Sequence, residues 1–206
     1  MNFKFDPYGR NDFDDEQIVR DRHWHIKPGD VVIDVGAAIG SYTLPALAAG
    51  AAKVIAFCPQ QDHAQKLKEN LTKNPGFAER CTIVPHGLYD QEGWLTFVGS
   101  NYLFQETRPD RLGSEDFPVR RLDDVDLKVD KIDWLKLDVE GAELKVLEAA
   151  RDLLIKYHPQ ILVENHLFMD KSIQARVGLF ILSLDLGYTM FATDYCDVSH
   201  SFFEVK

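Results

Sequence analysis

The sequence predicts an α/β fold, a mostly parallel sheet with helices on both faces. Three observations carry this. Short branched apolar runs alternate with helix-patterned segments. The first run, Val31 to Val35, is near-continuously apolar, as a strand covered on both faces must be. A glycine-bearing turn, Gly36 to Gly40, joins that run to an Ala- and Leu-rich stretch.

The elements follow in order. Residues 1–28 are polar and aromatic and read as a lead-in segment with a helix around Asp15 to His25. The main domain then occupies 29–206. Lys27 to Asp30 is a turn before the first strand. Ser41 to Ala49 is helical, with Pro45 in its first turn, where the missing N–H has no intrahelical partner, and Gly50 at its end. Lys53 to Phe57 is a strand and Asp62 to Lys73 a helix stopped by Asn74, Pro75 and Gly76. Cys81 to Pro85 is a third strand. Trp94 to Val98 follows a turn and suggests a hairpin, while Gly99 to Pro118 has no clear period and reads as a long loop. Ile132 to Leu137 is a strand, Ala142 to Leu154 an amphipathic helix, Ile161 to Val163 a strand and Ile173 to Leu186 a helix closed by Gly187. Tyr188 to Ala192 and Phe202 to Val205 are the last strands.

Composition narrows the functions. The chain has 206 residues, 45% of them hydrophobic, enough for one sizeable core. A net charge of −10 repels phosphate backbones and argues against a nucleic-acid partner. The three cysteines, Cys58, Cys81 and Cys196, form no CxxC pair, which points to a reducing compartment. The N-terminus has no apolar run after a basic region, and no stretch reaches the ~20 apolar residues of a membrane span. A cytoplasmic location is expected.

The glycine turn lies at the carboxyl end of the first strand, where ligands bind in doubly wound sheets. A dinucleotide fingerprint would need glycine at 36, 38 and 41; the chain has Gly36, Ala38 and Ser41, which disfavours nicotinamide chemistry. Asp34, just before the turn, suits a cationic ligand with an amino group, and S-adenosylmethionine is one.

The sequence resembles the FkbM-type methyltransferase family in four segments in order: Asp34 to Leu44, Val54 to Pro59, Lys136 to Glu143 and Ile161 to His166. The resemblance implies a Rossmann-like class I methyltransferase fold, a mostly parallel seven-stranded sheet with an antiparallel strand near the C-terminus. It further implies transfer of a methyl group from S-adenosylmethionine to a hydroxyl of a sugar, glycan or secondary metabolite. Cofactor contacts are then expected at Asp34, Gly36, Ala37, Gly40, Tyr42, Cys58, His86, Gly87 and Asp138. His166, Asp138 and Glu164 are expected at the reacting centre, with His166 a candidate base because a neutral imidazole accepts protons near pH 7. Glu164 and His166 sit two apart and face one side of a strand. Glu140 and Glu143 read as acids serving a helix N-terminus.

Two positions depart from the family pattern. Ala38 stands where the family usually has Asn, and Cys58 where it usually has Glu. A carboxylate there accepts hydrogen bonds from the ribose hydroxyls, and a thiol accepts poorly. Losing a charged bidentate contact weakens binding by about 1.5–3 kcal/mol, about ten- to a hundredfold. The alternative is therefore a non-catalytic binding module with a weakened cofactor site. His23 and His25 have metal-binding spacing but no third ligand, and no metal is expected. Trp94, Tyr102 and Phe104 read first as packing anchors and second as candidates for stacking on an acceptor.

Overall fold

The computed structural model describes residues 3–5, 12–98, 101–105, 116–167, 170–195 and 198–205. A seven-stranded sheet runs in the order β10-β11-β9-β8-β1-β2-β3. Its strands are β1 (Val31–Val35), β2 (Lys53–Phe57), β3 (Cys81–Val84), β8 (Trp134–Leu137), β9 (Gln160–His166), β10 (Tyr188–Tyr195) and β11 (Val198–Val205). The inner pairs are parallel, and β11 is antiparallel to both β9 and β10. This is the seven-stranded arrangement with one reversed strand that the sequence predicts.

Period-two alternation sorts the strands into two apolar layers. Ile33, Val35, Ile55, Phe57, Leu135, Leu137, Ile161, Val163 and Phe203 face α4 (Glu143–Glu148), α5 (Arg151–Tyr157) and α6 (Ile173–Ser183). Val32, Val54, Ala56, Trp134, Leu162 and Phe202 face the other way, onto α2 (Thr43–Ala48) and α3 (Gln61–Thr72). The lead-in segment joins this second layer. Val19, from α1 (Asp12–His23), and Trp24 are buried there, and Trp24 meets Trp134 at 5.0 Å and Tyr42 at 5.4 Å between ring centroids.

Two expectations change. The loop expected over 99–118 contains strands. β6 (Asn101–Gln105) and β7 (Asp116–Arg120) flank β5 (Gly93–Val98), and β4 (Gly87–Leu88) completes a separate sheet of order β4-β7-β5-β6. The Trp94 backbone lies in β5 and those of Tyr102 and Phe104 in β6. Cys196 lies outside the described residues. The helix expected over 142–154 is two helices, α4 and α5, broken at Ala149 and Ala150. The break has a physical cause. Asp123 donates its N–H to the Ala149 carbonyl, and its carboxylate accepts the N–H groups of Asp152 (3.1 Å) and Leu153 (2.9 Å). Those donors open α5 and have no partner inside it.

Candidate active site

The second apolar layer turns polar toward the carboxyl ends of the strands. Val32 is followed two residues later by Asp34, Trp134 by Lys136 and Asp138, and Leu162 by Glu164 and His166; Phe202 is preceded by His200. The same alternation that builds the core thus delivers a row of ionisable groups across β1, β8, β9 and β11.

At β1 the chain turns sharply. The Gly36 and Ala37 N–H groups both donate to the Phe57 carbonyl at 3.1 Å, which pins the turn to the end of β2. Gly36 has φ +77°, and a β-carbon built there would sit 1.7 Å from the Asp138 carbonyl oxygen. Only glycine lets β1 and β8 lie this close at their ends. Asp34 is fully buried, accepts a 2.6 Å hydrogen bond from the Thr43 hydroxyl and lies 3.6 Å from the Lys136 ammonium. Its charge is therefore balanced inside the protein, and the carboxylate orders the turn rather than meeting a ligand's amino group. Lys136 donates to the Gly36 carbonyl (3.2 Å) and to Asp138 (3.3 Å) and sits 4.9 Å above the Tyr42 ring. Tyr42 is likewise buried beneath the turn and wedged against Trp24.

Cys58 packs rather than presenting a polar edge. It is buried, its thiol points at the Ala38 carbonyl (3.4 Å), and burial with the nearby Asp34 charge pushes its pKa up to about 12. His86 is half-buried against Phe57, with Nδ1 3.0 Å from the Gly87 carbonyl; burial lowers its pKa, so the ring is neutral at pH 7. Gly87 serves packing. It lies in β4, and an added β-carbon would press on Phe117 at 2.8 Å. The half-buried His23 ring packs tilted against Phe202, with 5.4 Å between centroids.

His166 is the hub of the opposite end. Its Nδ1 lies 2.6 Å from Oε1 of the fully buried Glu143, which also accepts the Gly141 N–H at 2.9 Å. Its Nε2 faces Glu140 at 3.2 Å, Asp138 at 3.7 Å and Glu164 at 3.9 Å. Glu140 reaches the ring because its backbone adopts φ +52° and Gly141 follows at +97°, which folds the segment back toward β9. Glu164 in turn lies 3.5 Å from His200 Nε2, its register partner on β11.

Burial alone would lower the His166 pKa; the hydrogen bond to Glu143 and the charges of Asp138, Glu143 and Glu140 outweigh it and raise it to about 9. At neutral pH this ring holds its proton, so the base expected at His166 is an imidazolium and the proton acceptors are its carboxylate neighbours. Burial also raises the Glu140 pKa, with the His166 charge opposing and those of Asp138, Glu164 and Glu143 adding to the rise. A group whose pKa is raised on folding stabilises the fold while it is protonated. The contribution, on the order of 3 kcal/mol, is complete below about pH 6.5 and lost as pH rises through about 9. Ring-proton NMR in a chelating buffer should show His166 titrating near 9, and denaturant melts should weaken between pH 7 and 9.5. Titration near 6.5 would refute the assignment.

Asp138, Glu164 and His166 are thus brought together as the sequence predicts. Glu143, Glu140, Lys136 and His200 join them. Glu140 and Glu143 had read as helix-terminal acids, whereas the structure directs both to His166. Asp138, Glu140 and His166 each offer a ligand atom within 4.8 Å of the others, the one such group of His, Cys, Asp or Glu donors found among the described residues.

The sheet order and the glycine turn opposite the strand-end acids define an α/β protein of the class I methyltransferase type. Residues 34–190 match the family described as the methyltransferase FkbM domain. The chain belongs to the FkbM methyltransferase family. It is 30% identical over 148 residues to the hexuronic acid methyltransferase AglP of Haloferax volcanii, covering 68% of this chain and 58% of that protein. It is 31% identical over 184 residues to the AMB antimetabolite synthetase AmbE of Pseudomonas aeruginosa, covering 68% of this chain and 8% of that protein. Among solved structures, the methyltransferase FkbM of Methylobacillus flagellatus superimposes with TM-score 0.66 at 21% identity, over 86% of this chain and 44% of that one. The precorrin 8w decarboxylase of Methanobacterium thermoautotrophicum gives 0.59 at 16% identity, over 99% and 97%. No helix among the described residues is long and apolar enough to cross a membrane.

Proposed function

We propose that the chain transfers a methyl group from S-adenosylmethionine to an oxygen of a sugar or glycan acceptor. The observation that carries this is the shared mouth of the glycine turn and the acidic cluster. The Gly36 α-carbon abuts the Asp138 backbone, and the Asp138 side chain meets His166. Family membership and the similarity to a hexuronic acid methyltransferase support the reaction and the acceptor class.

The residues fit this cofactor at the turn and poorly at the ribose. The turn of Gly36 to Gly40 stands at the carboxyl end of β1 with Asp138 against it, the place for the methionyl end, and His86 offers a neutral ring beyond β3. The ribose position holds Cys58 in place of a carboxylate; Gln60, Gln61 and Asp62 follow it at the start of α3 and are the nearest polar substitutes in sequence. When bound, S-adenosylmethionine supplies an electrophilic methyl on a sulfonium, whose sulfur takes the electron pair of the breaking bond. The protein aligns the acceptor oxygen and removes its proton. Glu140, the most exposed acid of the cluster, is placed to accept that proton, while His166 holds it in position.

A second reading, a binding module with an eroded cofactor site, is favoured specifically by the packed Cys58 thiol. Calorimetric titration with S-adenosylmethionine separates the two. Micromolar binding by the native chain, with Cys58→Glu tightening it about ten- to a hundredfold, supports the enzyme. Binding by the variant alone favours the module, and binding by neither overturns both. The expected setting is the cytoplasm, in keeping with the free thiols of Cys58 and Cys81, and no nucleic-acid partner is expected at this net charge.

A further inference from the structure

We infer that Asp138, Glu140 and His166 form a divalent-cation site that holds the acceptor by two neighbouring oxygens. Donors bound to one small cation at about 2.1 Å lie about 3.0 Å apart when adjacent and about 4.2 Å apart when opposite. His166 Nε2 lies 3.2 Å from Glu140 and 3.7 Å from Asp138, inside that window, and the ligand atoms of all three residues lie within 4.8 Å of one another. The cation would take the place of the proton that Nε2 otherwise holds, and the imidazole is held as metal-bound histidines are. A buried carboxylate, Glu143, grips Nδ1 at 2.6 Å and turns Nε2 toward the other donors.

A second observation is an unsatisfied imidazole turned toward the same acids. His200 is 93% buried, since 7% of its surface is exposed, and neither ring nitrogen has a hydrogen-bond partner. It lies 3.5 Å from the far oxygen of Glu164 and so faces the same cluster from β11. The acids here outnumber the positive groups. Asp138, Glu140, Glu143 and Glu164 all lie within 4 Å of the His166 ring, and Lys136, shared with Asp34, reaches only Asp138 of these four. Oxygen-rich donors with one imidazole select Mg²⁺ or Mn²⁺ over softer ions. Glu140 is half-exposed, so the cation would face the mouth of the site. There it would bind a vicinal diol or a hydroxy acid and lower the proton affinity of the ligated hydroxyl.

This deepens the methyl-transfer reading and rests on it for the role of the cation, not for its binding. The test is titration of the native chain with Mn²⁺, read by loss of the free-ion EPR signal and by paramagnetic broadening of histidine ring protons. One saturable equivalent is expected, broadening His166 and His200 before His25. Asp138→Asn and Glu140→Gln should each weaken it tenfold or more while the thermal midpoint is kept. Absence of saturable binding by the native chain overturns the inference, as does broadening centred elsewhere. S-adenosylmethionine binding measured in the same samples distinguishes the failures. Cofactor binding without Mn²⁺ binding means the acids serve the cofactor's own ammonium, which leaves methyl transfer standing and removes the cation. Mn²⁺ binding without cofactor binding removes methyl transfer and keeps the cation.

Discussion

Gly36→Ala is expected to lower stability by about 3 kcal/mol or more, seen as a fall in the thermal midpoint of about 6–12 °C. Two costs add. An alanine at φ +77° is strained by its own backbone. Its methyl group would also lie 1.7 Å from the Asp138 carbonyl oxygen, a backbone atom that cannot swing aside as a side chain would. Relief requires prising the end of β1 from that of β8, which also displaces Lys136 from the Gly36 carbonyl. Cofactor affinity should fall with it, because the turn that moves is the one proposed to receive the methionyl group. Gly29→Ala is the control. Its φ is +92°, yet an added β-carbon there meets nothing within 4 Å, so it carries the backbone cost without the collision. Equal losses in the two variants would show that the approach of β1 to β8 is not limiting.

His166→Ala is expected to cut turnover by about 10²–10⁴-fold on an acceptor that the native chain methylates. The ring holds Glu140, Asp138 and Glu164 on one side and Glu143 on the other. Without it these acids repel one another, and Glu143 keeps a buried carboxylate with no imidazole. The loss should therefore fall on kcat more than on cofactor binding, which depends on the turn at β1. His166→Asn separates chemistry from folding. An amide can donate to Glu143 and restore the melting midpoint, but it cannot carry the imidazole's charge. Near-native turnover in either variant would remove His166 from the reaction.

Local patterns made most of the sheet legible. Val31 to Val35 and Lys53 to Phe57 announce themselves by apolar composition, and Glu164 and His166 by their spacing. What stayed hidden depends on distant partners. The break between α4 and α5 follows from Asp123, whose carboxylate caps a helix about 30 residues later. β6 pairs with β5 and β7 with β5 and the two-residue β4, and neither leaves a periodic signature of its own. Glu143 looks like any acid in a first helical turn, and only the arrival of β9 gives it the imidazole that justifies its burial. Lys136 and His200 lie in strand runs, where nothing local shows that their faces have left the apolar layer. Asp34 shows the converse. Its place before the glycine turn suggests a ligand contact, and Lys136 and Thr43, supplied by other elements, take that carboxylate up.

The row of charges across the strand ends has a consequence for the order in which ligands arrive. Asp34, Lys136, Asp138, His166, Glu164 and His200 stand in sequence, each within 4 Å of the next, from the cofactor turn to the last strand. A positive group arriving at the turn competes with Lys136 for Asp138, and that shift reaches His166. Occupancy at one end therefore tunes affinity at the other, and by thermodynamic reciprocity the second ligand returns the same factor to the first. If the proposed cofactor and acceptor occupy the two ends, they bind as a linked pair, and a dissociation constant measured for either one alone describes only half of the behaviour.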